Sequence, residues 1–226
     1  MLTTHIHDKY ESSWIDRLNK TGTEKFSVYE RNWVLPALMQ QHEKVLDLAS
    51  GNSIVGSYWE SEFGADVTAF DVSERALADA KKRGVKTVVG SVEEKLPFKA
   101  GTFDTVFWGD NIEHVFASYE IMLEIHRVLK KGGRLILSTP NQSYWRYRLY
   151  MVLHGELPKT EGDENEPWEW EHIRFFSPAI LRSLCKKTHF RQTKFFGISR
   201  RRIDKIGMKI APELFGMIMV IEAKKV

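Results

Sequence analysis

The chain predicts an α/β fold, a doubly wound and mostly parallel sheet of Rossmann-like type. Three observations carry that expectation. Short apolar strands alternate with amphipathic helical stretches from residue 45 to residue 138. Two of those strands end in an aspartate, Asp47 and Asp71. The first is followed by a turn of small residues, Ala49-Ser50-Gly51-Asn52-Ser53, and then by a helical segment.

The elements follow in order. Residues 9–40 carry Trp14, Ile15, Leu18, Phe26, Trp33, Val34 and Leu38 at helical spacing, so an N-terminal helical cap is expected over residues 1–42, split near Gly22. Val45–Leu48 is the first strand, and Ile54–Phe63 a helix stopped near Gly64. Asp66–Phe70 is the second strand. Ser73 caps a helix that presents Ala76, Leu77 and Ala80 on one face. Val85–Val89 and Phe103–Trp108 are the third and fourth strands. Ser118–Leu129 is a helix that Gly132-Gly133 should end, and Arg134–Ser138 is the fifth strand. Residues 141–176 interrupt the alternation with an insertion dense in aromatic and charged side chains, read as a lid. A helix follows, with Ser177 as cap, Pro178 first, and Ile180, Leu181 and Leu184 inward. Phe190–Ile198 and Gly216–Ala223 close the chain as two successive strands without a clear helix between them, an antiparallel pair at one end of the sheet.

Composition sets bounds. With 226 residues, 42% hydrophobic and 28% charged, residues 1–226 read as a single domain with a real core. A net charge of +3 gives no argument for nucleic acid. The lone cysteine, Cys185, excludes an internal disulfide, fits a reducing cytoplasmic setting and is expected to pack in a helix. The start lacks the apolar run of a secretory signal, and no stretch is long enough to span a bilayer. No metal motif is read. A monomer or a homodimer is expected.

Two acids at adjacent strand ends suit a ligand with a ribose, whose hydroxyls one carboxylate can accept. A nicotinamide dinucleotide needs glycine at the first, third and sixth loop positions, where this chain has Ala49, Gly51 and Ile54. Asp47 would also repel a pyrophosphate, whereas a cationic ligand would be favoured there.

Several ordered segments carry a resemblance: Val45-Leu46-Asp47-Leu48-Ala49-Ser50-Gly51, Phe70-Asp71-Val72-Ser73, Leu96-Pro97-Phe98, Phe103-Asp104-Thr105-Val106, Ile112-Glu113-His114-Val115, Glu124 through Gly133, Ser138-Thr139-Pro140-Asn141 and His172-Ile173-Arg174-Phe175-Phe176-Ser177. With these the chain resembles class I S-adenosylmethionine-dependent methyltransferases, in the small-molecule branch of the ubiquinone-biosynthesis O-methyltransferases. The resemblance implies S-adenosylmethionine as cofactor and a small-molecule acceptor, methylated at a hydroxyl oxygen. It implies that Asp47 and Gly51 face the methionine part, that Ala49 belongs to the same cofactor-binding loop, that Asp71 holds the ribose, and that Val72, Ser91 and Val92 lie at the adenine. Trp108 and Gly109 would line the sulfonium side. The family usually has glycine where Ala49 and Ser53 stand, and often aspartate at Ser91. Ala49 is a mild departure; Ser53 is costly if its φ is positive.

His172 and His114 are the candidate bases for a protonated acceptor, with Asp110, Glu113 and His154 behind them; His126 reads as structural. Tyr144 through Arg148 read as an aromatic and basic helix, 162–167 as a polar lid tip, and Arg200-Arg201-Arg202 as a solvated turn, with an anion or RNA contact as the alternative. Competing readings are a non-catalytic methyltransferase-like protein that binds S-adenosylmethionine or S-adenosylhomocysteine, a nucleic-acid or protein methyltransferase, and a nicotinamide oxidoreductase.

Overall fold

A computed structural model of the chain describes Phe26, residues 29–158, Thr160 and residues 172–226. The strands are β1 (Lys44–Leu48), β2 (Asp66–Asp71), β3 (Lys86–Val89), β4 (Phe103–Gly109), β5 (Leu129–Pro140), β6 (Phe190–Ile198) and β7 (Ile218–Lys225). They form one seven-stranded sheet in the order β3-β2-β1-β4-β5-β7-β6. β1 to β5 run parallel, and β7 lies antiparallel between β5 and β6. The order reverses between β1 and β4, so the carboxyl ends of those strands frame a crevice of the kind in which open α/β sheets bind ligands.

Alternation of side chains sends the apolar residues of each strand to both faces. On one face Leu46, Leu48, Val106, Trp108, Leu135 and Leu137 pack with α3 (Ser118–Val128) and α5 (Pro178–Lys187). On the other, Val45, Val67, Ala69, Phe107 and Ile136 pack with α1 (Ile54–Phe63) and α2 (Glu74–Lys82). Ser73 Oγ accepts from Ala76 N at 3.1 Å and Ser177 Oγ from Ile180 N at 3.2 Å, so both expected caps form. α4 (Trp145–His154) follows β5, and α6 (Arg202–Gly207) and α7 (Pro212–Phe215) fill the connection between β6 and β7.

Several expectations need correction. Residues 30–37 are not α-helical: Glu30–Trp33 and Leu35–Ala37 are two 3-10 turns, because Pro36 lacks the N–H that an α-helical turn needs. Most of the expected N-terminal cap falls on residues 1–25, outside the described residues. Gly132-Gly133 does not stop a helix. α3 ends earlier, where Leu129 turns extended at φ −72° and ψ 140°, and the glycines lie within β5, where its register against β4 shifts. Ile180 points outward at 52% exposure, while Leu181 is fully buried. The link between β6 and β7 holds two short helices, not a bare turn. Of the lid, residues 159 and 161–171, with the expected tip, lie outside the described residues.

Candidate active site

The loop after β1 is tied down from both sides. Ser50 N donates to Phe70 O at 3.1 Å, and Gly51 N donates to Asp71 Oδ2 at 2.7 Å. Asp71 Oδ1 accepts from Ser73 N at 2.9 Å. Asp71 thus fixes the small-residue turn and the start of α2 while sitting at the edge where a ribose would lie. The turn is tight: Ala49, Gly51 and Ser53 have φ of 52°, 55° and 48°. A left-handed backbone without glycine at Ala49 and Ser53 is strained, so Ala49 is as much a departure as Ser53.

Ser53 offsets part of that strain through its side chain. Its Oγ donates to Asp47 Oδ2 at 2.6 Å, and both residues are buried. Gly56 makes the approach possible, since a Cβ there would lie 2.3 Å from Ser53 Oγ and 3.0 Å from Asp47 Oδ2. Burial pushes the Asp47 carboxyl up to about 7, against the pull of the Ser53 hydroxyl and of Arg31.

Arg31 was missed in the sequence. It pairs with Asp110, the residue after β4, and its guanidinium lies over the Tyr29 ring at 4.6 Å. Arg31 Nε is buried without a partner, and a Cβ on Gly109 would come within 3.1 Å of it. Asp110 has φ 45° and is held from β5: Ser138 Oγ donates to Asp110 Oδ1, and Asp110 N donates to Ser138 O at 2.9 Å. One signal was available, an arginine set among Tyr29, Trp33, Val34 and Leu35. Its partner was not, because Asp110 is 79 positions away.

These groups fit S-adenosylmethionine. Asp47 and the unsatisfied Arg31 Nε complement the two charges of an amino-acid end. Asp71 complements a ribose. Val72, Ser91 and Val92 are half-buried at the ends of β2 and β3, with Ser91 Oγ accepting from Glu93 N at 3.2 Å. Trp108 is fully buried and donates its indole N–H to Asn111 Oδ1 at 2.9 Å.

Past β4 the structure brings the two candidate histidines together. The rings of His114 and His172 meet edge to face with centroids 4.7 Å apart. The contact is imposed by the backbone, since Ile173 N and Arg174 N both donate to Glu113 O at 3.0 Å. Arg174 adds bonds to Val115 O and Phe116 O, and Gln142 N donates to Phe176 O at 2.9 Å. Residues 172–176 therefore form a strap from the loop after β4 to the loop after β5. His172 Nδ1 also bonds Thr160 Oγ1 at 2.7 Å.

Beneath the histidines, Glu113 is buried, with Oε2 accepting from Thr139 Oγ1 at 2.8 Å and Oε1 without a partner. Burial, and then the nearby Asp110 charge, raise its carboxyl to about 8. Glu113, His114 and His172 each place one ligand atom within 4.8 Å of the others, a donor set that could also take a divalent ion. His154, by contrast, lies on α4 against Tyr150 at 4.4 Å. His126 packs on Phe190, as its structural reading requires.

The chain is similar to known methyltransferases. Residues 46–137 match a family model described as a methyltransferase domain. The chain is 29% identical over 185 residues to a ubiquinone biosynthesis O-methyltransferase of Dechloromonas aromatica, covering 77% of this chain and 75% of that one. It is 36% identical over 163 residues to a ubiquinone/menaquinone biosynthesis C-methyltransferase of Desulfotalea psychrophila, covering 65% of each. Among solved structures, its fold is similar to that of an S-adenosylmethionine-dependent methyltransferase of Thermotoga maritima described as a possible histamine N-methyltransferase, with TM-score 0.70 and 20% identity over 98% of this chain and 99% of that one.

Proposed function

We propose that this class I S-adenosylmethionine-dependent methyltransferase moves the methyl group of its cofactor to a hydroxyl oxygen of a small-molecule acceptor. The observation that carries the proposal is the contact between His114 and His172 over buried Glu113, at the carboxyl edge shared by β4 and β5.

The bound cofactor supplies a methyl carbon already activated by the sulfonium. Much of the rate can then come from alignment, worth up to about 10⁵–10⁸ M in effective concentration. Asp47, Asp71 and Arg31 would hold the ligand, and Gly51 and Gly109 would let it approach the backbone. A hydroxyl acceptor must lose a proton as it is methylated. His114 and His172 are half-exposed and stand where that proton can be taken. The strap from Glu113 to Gln142 fixes the pair in place and covers the reacting region from water.

The relatives' names include O-, C- and N-methyltransferases, so similarity alone leaves the acceptor atom open. The paired histidines favour oxygen, since a neutral amine can attack without a base. The competing view is a protein that binds the cofactor without transfer, motivated by Ala49 and Ser53. Calorimetry with S-adenosylhomocysteine, together with methyl transfer from labelled cofactor to a panel of phenols, alcohols and amines, decides between them. Micromolar binding with label on a hydroxyl supports the proposal. Label only on nitrogen or carbon, or binding with no transfer to any acceptor, overturns it.

A further inference from the structure

A cavity of about 520 Å³ opens beside α4, lined by Tyr144, Tyr147, Tyr150 and Met217 and by two cations, Arg146 and Arg201. Its volume is that of a small-molecule pocket, and its walls combine aromatic area with a few charged groups. It belongs to the same sheet edge as the histidine pair. Tyr144 follows Gln142, where the strap is anchored, by two residues, and Met217 O accepts from Asn141 N at 2.8 Å, just past the end of β5.

The walls are built rather than casual. Tyr144 is 1% exposed and donates its hydroxyl to Asp204 Oδ2 at 2.5 Å. Asp204 also accepts from Trp145 Nε1 at 2.8 Å and from Ser199 Oγ at 2.6 Å. This buried carboxylate pins the start of α4 to α6. Tyr147 packs edge to face on Tyr144, with centroids 5.1 Å apart.

Among the described residues the lining is one-sided in charge, with no acidic side chain. Asp204, behind the wall, already accepts from three donors. Arg146 lies over the Trp145 ring at 5.4 Å, which leaves its N–H groups for a ligand. Guanidinium forks bind carboxylate and phosphate oxygens in pairs, and tyrosine faces take an apolar or aromatic body.

We infer that this cavity is the acceptor site and that it selects an amphipathic oxyanion, a ring or short apolar body bearing one carboxylate or phosphate. The word acceptor rests on the methyl-transfer proposal; the anion selectivity does not. The test is calorimetric titration with 4-hydroxyphenylacetate, phenyl phosphate and the neutral isostere 4-hydroxyphenylacetamide. At least one anion should bind about tenfold or more tighter than the amide. Preference for either anion supports the inference, and their ranking identifies the oxyanion. Arg146→Gln and Arg201→Gln should each cut the preference several-fold, and the double variant should erase it. Both guanidiniums are exposed, so these variants should melt like the wild type and keep S-adenosylhomocysteine affinity. Equal binding of the amide and both anions, or a preference that survives the double variant, overturns the inference. Anion selectivity without S-adenosylhomocysteine binding would leave the cavity standing and remove the methyl-transfer reading; the reverse result would do the opposite.

Discussion

The Ser53 hydroxyl donates to Asp47 Oδ2 at 2.6 Å from a residue whose own backbone is left-handed, at φ 48°. Two opposing effects meet at this side chain. A non-glycine residue in that conformation costs about 1–2 kcal/mol, while a hydrogen bond to a charged group contributes about 1.5–3 kcal/mol. Ser53→Ala keeps the strain and loses the bond, so it should destabilise the protein by about 1–3 kcal/mol. Ser53→Gly loses both and should lie closer to wild type, by about 1 kcal/mol. Urea denaturation of the three proteins checks the ranking; an alanine variant as stable as the glycine variant would refute it.

Because burial holds the Asp47 carboxyl at about 7, a cationic ligand must expel its proton at lower pH. S-adenosylhomocysteine, which carries an ammonium group, should bind up to tenfold more weakly for each unit that the pH falls below about 7, and its affinity should level off above. Titration in buffers of different ionisation enthalpy should show proton release at pH 6. In Asp47→Asn the affinity should be weaker and flat over the same range, whereas a slope that persists in Asp47→Asn assigns the proton to another group.

The histidine pair predicts a division between binding and turnover. His114→Ala and His172→Ala should both retain S-adenosylhomocysteine affinity, because Asp47, Asp71 and Arg31, the residues proposed to hold that ligand, stand on other loops. Whichever histidine takes the acceptor proton should lose about 10²–10⁴-fold in kcat on replacement. Full turnover in both variants would mean that alignment alone suffices.

Glu113 makes stability depend on pH in a set direction. Its carboxyl is raised from an ordinary value of 4.5 to about 8, so between those limits the folded protein holds a proton that the unfolded chain has lost. The contribution is therefore fully present below pH 4.5 and declines as pH rises toward 8, by at most about 1.4 kcal/mol per unit. Asp47 titrates in an overlapping window, so the informative quantity is a difference. Glu113→Gln keeps an acceptor for Thr139 and carries no charge. Its Tm should fall less steeply than wild type between pH 5 and 8.5, and parallel curves would contradict the assignment.

What could be read from the chain was local. Val45–Leu48 and Asp66–Phe70 are apolar runs with an acid, Asp47 or Asp71, at or just past their ends, and Ile54–Phe63 is bounded by small residues and Gly64, so their boundaries lie within the pattern itself. The positive φ at Ser53 was foreseeable as a risk, because glycine is the usual residue there. The departure at Ala49 reads as mild from the sequence, since a methyl group looks harmless until its backbone angle is known. Arg31 with Asp110, and the strap that sets His172 on His114, depend on pairings across 79 and 58 positions, which no periodicity encodes. The 3-10 turns at 30–37 show a single proline overriding an amphipathic pattern.

A buried ionic group holds the edge of the sheet opposite the site. Arg134, 5% exposed, donates to both oxygens of Glu43 at 2.7 Å, to Glu222 Oε2 at 2.8 Å and to Leu38 O at 2.8 Å. Thr105 and Thr193 complete the two carboxylates, at 2.9 Å and 2.7 Å. The triad joins the residue before β1 to β5 and β7, where the parallel strands begin. Breaking a buried ionic group by removing one partner leaves its charge uncompensated and costs about 3–5 kcal/mol. Arg134→Met should lose that much in urea denaturation, with Glu43 stranded in the interior and Glu222 left with Lys194 alone, 3.6 Å away. Adding Glu43→Gln and Glu222→Gln should recover part of the loss, because neutral amides need no counter-ion. Neither change reaches the carboxyl edge, so S-adenosylhomocysteine affinity measured well below the melting temperature should match the wild type. A loss under 1 kcal/mol in Arg134→Met would show that the interior there hydrates or rearranges, and that the triad fixes the strand ends without stabilising them.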